Sequence, residues 1–409
     1  MEMKPKILIL VESLKVGGGS ERFAANLGTK LYDEGYNISY LTLMEENPKY
    51  QFKGEYYTLN EGYIYTNVFK RSFDLFRYAP KISKICQELK IDVVISVSEV
   101  ANFHAVLSRW LYGNKVKIII SQHMNPEIFL ESKLKSSLIK FFYPRADKTV
   151  CVSKEIEKIL NEKYGVKNTQ TIYNMMNIHE NIELSKKQIP EEFKTLFKNK
   201  ENFNFINLGR LVRQKGQRFL IRSFRRVVDH YPQVKLFILG EGPLREDLEE
   251  LISGLGLVNN VHLLGEQENV FPFLKKCDCF VMSSLWEGLP LVLIEALSVN
   301  LPVISTDCKT GPLEILCGKL GLDEALNYPQ YCKYGILSKP FINKFNFKTL
   351  EQEPLDKSEI MLSELMIQFI EEKGLKERYS KGRNKSDDFD AENIIRTWED
   401  IIKNCNVIH

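Results

Sequence analysis

The sequence has no long hydrophobic run. Its first apolar stretch, Ile7 to Val11, is five residues long. That is too short for the core of a signal peptide and far short of the roughly 20 residues that a spanning helix needs. No other window qualifies, so the chain is expected not to cross a bilayer. Cys-x-x-Cys pairs are also missing: the eight cysteines are scattered, without the Cys/His spacing of a zinc site. Cys277 and Cys279 alternate around Asp278 as two side chains on one strand face would, so buried free thiols in a reducing cytoplasm are the expectation. There is little charge of one sign. A formal net charge of +3 gives no argument for a nucleic-acid partner. Internal repeats and low-complexity tracts are absent. So are the G-x-G-x-x-G dinucleotide fingerprint and the G-x-x-x-x-G-K-[ST] phosphate loop.

What is present is the composition of a soluble globular protein, with 44% hydrophobic and 27% charged residues. At 409 residues the chain is too long for one ordinary core, so two domains are expected. Short apolar runs ("KILILV", "NISYLTL", "IDVVISVS", "VKIIIS", "KTVCVS", "TQTIYN") alternate with amphipathic ones, such as Ser20 to Tyr32. This pattern predicts a parallel sheet covered on both faces. A polar stretch without a strong strand follows, and then the alternation resumes with "FNFINLG", "VKLFILG", "NVHLLG", "DCFVMS" and "LPVIST". The reading is an α/β chain of two doubly wound parallel-sheet domains: residues 1–180, a linker at 181–200, a second domain at 201–385 and a terminal helix at 386–409. Residues 317–340 look like an insertion before a short strand, Tyr334 to Leu337. Ligands bind such sheets beyond the carboxyl ends of the strands, so the motifs to weigh are those that follow strands.

The first is Gly17, Gly18 and Gly19, between the first strand and first helix. It is either a plain tight turn or a loop whose amides approach an anion at a helix N-terminus. In "NLGRLVRQKG", Arg210 and Lys215 stand on the turn after a strand. A guanidinium fork and a mobile ammonium there suit a diphosphate, although solvated basic turns are common. Gly240 follows the next strand and Glu266 the one after, either lining a nucleotide or serving the turns themselves. The segment "LWEGLPLVLIEAL" brackets a turn with two carboxylates, Glu287 and Glu295. Pro290 is expected at the first helical position, Gly288 lets the backbone close in, and the free amides around Leu289 to Val292, that of Leu291 among them, form an anion site with the helix dipole behind them. The glutamates should then bind neutral hydroxyls beside the anion: Glu287 a sugar, Glu295 the vicinal diol of a ribose.

These segments in this order, with "ADKTVCVSKEI" and "IYNMMN", resemble the retaining glycosyltransferases of family 4, which have the GT-B fold. The resemblance covers nearly the whole chain. It implies two Rossmann-like domains facing a cleft, with the C-terminal helix crossing back to the first. It implies that Arg210 and Lys215 hold the donor diphosphate, Glu295 the nucleotide ribose and Glu287 the donor sugar. Gly17–Gly19 would face the reacting centre, and His123 in "SQHMNP", otherwise an ordinary loop histidine, would approach the donor sugar. The reaction implied is retaining transfer from a nucleotide sugar, expected to be UDP-linked, without a metal. The sole Asp-x-Asp, Asp388 to Asp390, is read as a helix N-cap region instead.

On the acceptor side, "NVFKRSFDLFRYAPKISKI" interleaves Lys70, Arg71 and Arg77 with Phe69, Phe73, Leu75, Phe76 and Tyr78. "FLESKLKSSLIKFFYPR" does the same with Lys133, Lys135, Lys140 and Arg145. Such segments either pack on their own domain or lie in an anionic membrane interface. The family favours the second, with a glycan or lipid-linked acceptor at the inner face of the cell membrane. An enzyme on a soluble acceptor, synthase- or epimerase-like, and a non-catalytic nucleotide-sugar-binding subunit are the alternatives.

Overall fold

A computed structural model describes residues 4–15, 18–44, 47–59, 68–128, 133–199, 201–318, 326–342 and 353–404. The chain divides into two compact units, Met1–Met175 with Ala391–His409, and Met176–Asp390.

The first unit runs β1 (Lys6–Val11), α1 (Gly19–Asp33), β2 (Asn37–Thr42), β3 (Glu55–Thr58), α2 (Val68–Glu88), β4 (Val93–Val97), α3 (Glu99–Tyr112), β5 (Lys117–Gln122), α4 (Lys133–Phe142), β6 (Lys148–Cys151), α5 (Lys154–Tyr164) and β7 (Thr169–Thr171). Its seven strands are all parallel, in the order β3-β2-β1-β4-β5-β6-β7. The central strands read as unbroken apolar runs because helices shield both faces; all five residues of β4 are buried. The strand β3 was not legible: its "EYYT" is only half-buried at the sheet edge.

The second unit runs α6 (Ile178–Ser185), β8 (Asn204–Leu208), α7 (Gln217–His230), β9 (Lys235–Leu239), α8 (Arg245–Gly254), β10 (Val261–Gly265), α9 (Phe271–Lys276), β11 (Cys279–Met282), α10 (Leu291–Ser298), β12 (Val303–Thr306), α11 (Pro312–Cys317), β13 (Gln330–Tyr331), β14 (Ile336–Ser338), α12 (Lys357–Glu371), α13 (Lys373–Arg378) and α14 (Arg383–Ser386). Its order is β10-β9-β8-β11-β12-β14-β13, parallel except for β13, which pairs antiparallel to β14 at the edge. The final helix, α15 (Ala391–Asn404), returns to the first unit. There it buries Ile394, Ile395, Trp398, Ile401 and Ile402 in the same core as Phe23 and Leu27 of α1.

Two expectations are corrected. Residues 181–200 do not form a free linker. Much of this stretch is structured and packs into the second unit, with Phe197 stacked on Phe237 at 4.3 Å and Phe193 edge-on to Phe273 at 5.8 Å. Two aromatic anchors in a polar segment decide that outcome. Pro290 is the N-cap of α10, in extended conformation, one residue before the first helical position. Within the 317–340 stretch, residues 319–325 lie outside the described residues. Its flanks are joined by a Cys317–Cys332 disulfide, Cα–Cα 4.7 Å, which the cysteine spacing did not signal. Cys277 and Cys279 are free and buried. The Arg222–Glu359 ion pair, about 3% and 2% exposed, belongs to the packing of α12 on α7, since Glu359 also completes the capping box of α12.

Candidate functional site

In a doubly wound sheet the crevice for ligands opens where the strand order reverses. In the second unit that point lies between β8 and β11. Two loops leave it, residues 209–216 and 283–290, and they are sewn together. Leu285 N donates to Gln214 O at 2.7 Å, and Ser283 Oγ to Lys215 O at 2.8 Å. Gly216, at φ 63°, makes the approach possible, because a Cβ there would stand 2.1 Å from the Ser283 carbonyl oxygen.

This closure brings together two residues that are 72 positions apart. Lys215 Nζ lies 2.7 Å from Glu287 Oε1. Ser284 Oγ donates to the same oxygen at 2.7 Å, and Gln214 Nε2 to Oε2 at 3.2 Å. Glu287 is only 6% exposed, so the three donors offset the cost of burying its charge. Its carbonyl accepts from Thr310 Oγ1. Thr310 holds φ 66°, a left-handed conformation that is costly for a β-branched residue, and strain of this kind concentrates at functional sites.

Gly288, Leu289, Pro290 and Leu291 continue from Glu287 into α10, whose first amides precede its internal hydrogen bonds. Glu295, a turn inside the helix, is 6% exposed between the fully buried Ile294 and Ala296. Arg210 is exposed on the β8 loop, its backbone held by Gln217 Nε2 donating to its carbonyl at 3.1 Å. Gly240 has a structural reason of its own: a Cβ would lie 2.1 Å from Gly209 O. Glu266 is exposed at the end of β10, the edge strand, two places from β8. It is therefore not among the side chains gathered at the switch point.

In the first unit the order reverses between β1 and β4. Gly17 lies outside the described residues; Gly18 is the N-cap of α1 and Gly19 its first residue. His123, just after β5, sits 4.6 Å from the Phe23 ring, with Nε2 2.9 Å from Ser121 Oγ. Burial pushes its imidazole down to about 3, so it is neutral at physiological pH. A hydrogen-bonded network adjoins it and ends on a carboxylate, with Gln122 Nε2 donating to Glu99 Oε1 at 2.9 Å. Asn102 accepts from Ser96 Oγ at 2.8 Å and donates to Tyr143 Oη at 3.2 Å, and Tyr143 Oη donates to Gln122 Oε1 at 2.5 Å.

Sequence reasoning missed Gln214, Ser284 and Thr310. A Ser-x-x-Glu spacing directly after a strand was the available signal for Ser284. Asp388 lies within a short 3-10 turn, Asp387–Phe389, and Asp390 closes that turn just ahead of α15, with Asp388 paired to Lys385. Among the described residues no group of three or more His, Cys, Asp or Glu side chains is placed to hold a metal ion, and no helix is long and apolar enough to cross a membrane.

Comparison with known families places this geometry. Residues 17–180 match the model described as Glycosyltransferase Family 4, and residues 188–320 the one described as Glycosyl transferases group 1. An uncharacterized glycosyltransferase of Methanocaldococcus jannaschii is 43% identical over 386 residues, covering 91% of this chain and 94% of that protein. The chain is a family 4 glycosyltransferase. Another relative of this glycosyltransferase is an N-acetylgalactosamine-N,N'-diacetylbacillosaminyl-diphospho-undecaprenol 4-alpha-N-acetylgalactosaminyltransferase of Campylobacter jejuni, 30% identical over 76% of this chain and 83% of its own. Among solved structures, that of HepE from Anabaena in complex with UDP matches with a TM-score of 0.74 at 18% identity, over 98% of this chain and 100% of the other. The transferase therefore has the GT-B fold.

Proposed function

We propose that this transferase moves a hexose or N-acetylhexosamine, with retention, from a UDP-sugar to a lipid-linked glycan used in cell-surface polysaccharide or glycoprotein glycan assembly. The observation that carries the reading is the ion pair of the half-buried Lys215 with the buried Glu287 at the β8/β11 switch point, with the N-terminus of α10 directly after it. Support for the donor comes from a neighbouring fold solved with UDP, and support for the acceptor from a relative named for an undecaprenol-linked substrate.

In this reading Lys215 spends one of its three N–H donors on Glu287 and offers the others to the diphosphate. Arg210 reaches the same group from the exposed side of the loop. Glu287 and Glu295 accept from sugar and ribose hydroxyls, with the amides of Gly288, Leu289 and Leu291 at the phosphates. Gly240 and Glu266 lie along the nucleotide. From the first unit, Gly18, Gly19 and the neutral His123 are the residues we assign to recognition of the sugar. The anomeric C–O bond to phosphate breaks and an acceptor hydroxyl oxygen bonds to the same face of that carbon. The acceptor's proton passes to the departing phosphate oxygen. Cationic side chains and helix amides stabilise the negative charge that develops there, so no metal or other cofactor is needed. The enzyme works at the cytoplasmic face of the cell membrane, held peripherally by anionic lipid, and takes no nucleic acid.

Thermal shift with UDP-, GDP- and ADP-sugars tests the donor. A UDP-sugar at a hundred times its Kd should add about 2.7 kcal/mol of stability. Stabilisation by a GDP- or ADP-sugar alone refutes the UDP assignment. An inverted anomer in the product, seen by NMR, refutes retention.

A further inference from the structure

The exposed large apolar side chains are unevenly spread. Of the nine among the described residues, five surround the C-terminal end of α3: Phe76, Trp110, Leu111, Tyr112 and Phe141. Trp110 meets Phe141 edge-on at 5.0 Å. The Arg145 guanidinium lies 3.8 Å over the Phe141 ring and 5.7 Å from that of Trp110. Tyr112 Oη donates to Phe76 O at 3.2 Å, joining the two sides of the patch. Phe76 and Trp110 are 54% and 52% exposed. The core does not need them, because Phe103, Ile139 and Phe142 already fill the space beneath. Lys115 and Lys140 are exposed around the rings, and Asp147, an acid of the same region, is held by Arg109.

We propose that this aromatic and basic face of the first unit is where the transferase rests on an anionic membrane. The inference rests on the lipid-linked acceptor reading above and assigns its contact surface. Indole and phenol rings settle at the headgroup level, apolar on one side and wet on the other. Lysine and arginine beside them are drawn by the negative potential of acidic lipid. A second copy of the chain fits less well, since a symmetric contact would bring Lys140 and Arg145 against like charges. The chain path links the face to the chemistry. The connection from β5 carries His123 and leads into α4, whose last turn holds Phe141. A bilayer lying along α4 thus extends from the aromatic face toward the His123 loop. The side chains of residues 68–75 and 133–135, including the basic Lys70, Arg71, Lys133 and Lys135, are outside those described.

The test uses the whole chain and vesicles of phosphatidylcholine with or without phosphatidylglycerol. Wild type should float with the anionic vesicles only, and lipids brominated in their tails should quench its tryptophan fluorescence. Trp110→Phe should still float but lose most of the quenching, because Trp398 is fully buried and the half-buried Trp286 belongs to the second unit, which carries none of this face. Lys115→Glu with Lys140→Glu should weaken partitioning roughly 25-fold or more, at about fivefold per cation. Trp110→Ser with Phe141→Ser should weaken it roughly tenfold. In both double variants the melting temperature and its rise with UDP should stay unchanged. If wild type floats but the double variants float equally and Trp110 is not quenched, this face is refuted while the membrane reading stands. Failure of wild type to bind anionic vesicles overturns both. A dimer that Trp110→Ser with Phe141→Ser dissolves, without flotation, overturns the proposal in favour of self-association.

Discussion

At the switch point of the first unit the polar side chains are mostly neutral: Ser96, Asn102, Ser121, Gln122, Tyr143 and an imidazole kept uncharged by burial, with the Glu99 carboxylate accepting from Gln122 Nε2 at 2.9 Å. At that of the second unit an ammonium is closed onto a carboxylate beside a helix N-terminus. The sheets follow the same order through their first five places, so the fold does not dictate the difference. One architecture supplies the same crevice twice, and the residues on the loops decide whether it suits hydroxyl groups or an anion. The mostly neutral site needs a dense hydrogen-bond network to cover its buried dipoles. The ionic one needs compensating charge.

Each side of this contrast can be broken. The largest effect is expected in the first unit's core. Trp398→Ala should cost about 3–5 kcal/mol in denaturant unfolding. Amide exchange should show the loss in the first unit, and equal deprotection of both would mean that the units unfold as one. Next comes the ionic half. Lys215→Ala should lower kcat about 100-fold, near 2.7 kcal/mol of barrier, and normal turnover would remove Lys215 from the site. Third is His123. Its folded-state value, about 3, lies below the ordinary 6.5, so the unfolded chain takes up the proton first. The stability this site contributes is complete above about pH 6.5 and is lost as the pH falls toward 3, by up to about 1.4 kcal/mol per pH unit. His123→Asn should flatten that slope, and an unaltered slope would mean that the ring is hydrated. The smallest effect belongs to the first unit's hydrogen-bond network. Tyr143→Phe should cost about 1 kcal/mol and leave UDP binding untouched; a weakened UDP response would blur the division between the two sites.

Much of this was readable along the chain. The central strands announced themselves as apolar runs bounded by turn residues, and Glu287, Lys215 and the Gly288–Leu291 turn stood directly after strands. Less readable were features whose cause lies far away in sequence. Phe193 and Phe197 look like stray aromatics in a polar stretch until Phe237 and Phe273 are beneath them. Lys215 reads as a solvated basic turn until the β11 loop brings Glu287 to it. Gly240 reads equally well as a ligand contact or as a close backbone approach, and the Gly209 carbonyl supplies the second reason.

By itself, then, the sequence determined the strand–helix alternation, the parallel two-sheet architecture and the residue types at the strand ends, because hydrophobic period and turn chemistry are local properties. Only the tertiary structure decided which of those residues meet. It paired Lys215 with Glu287, joined α15 to the first core and left Trp110 and its neighbours uncovered. Those outcomes depend on packing between segments many residues apart, and no local pattern encodes them.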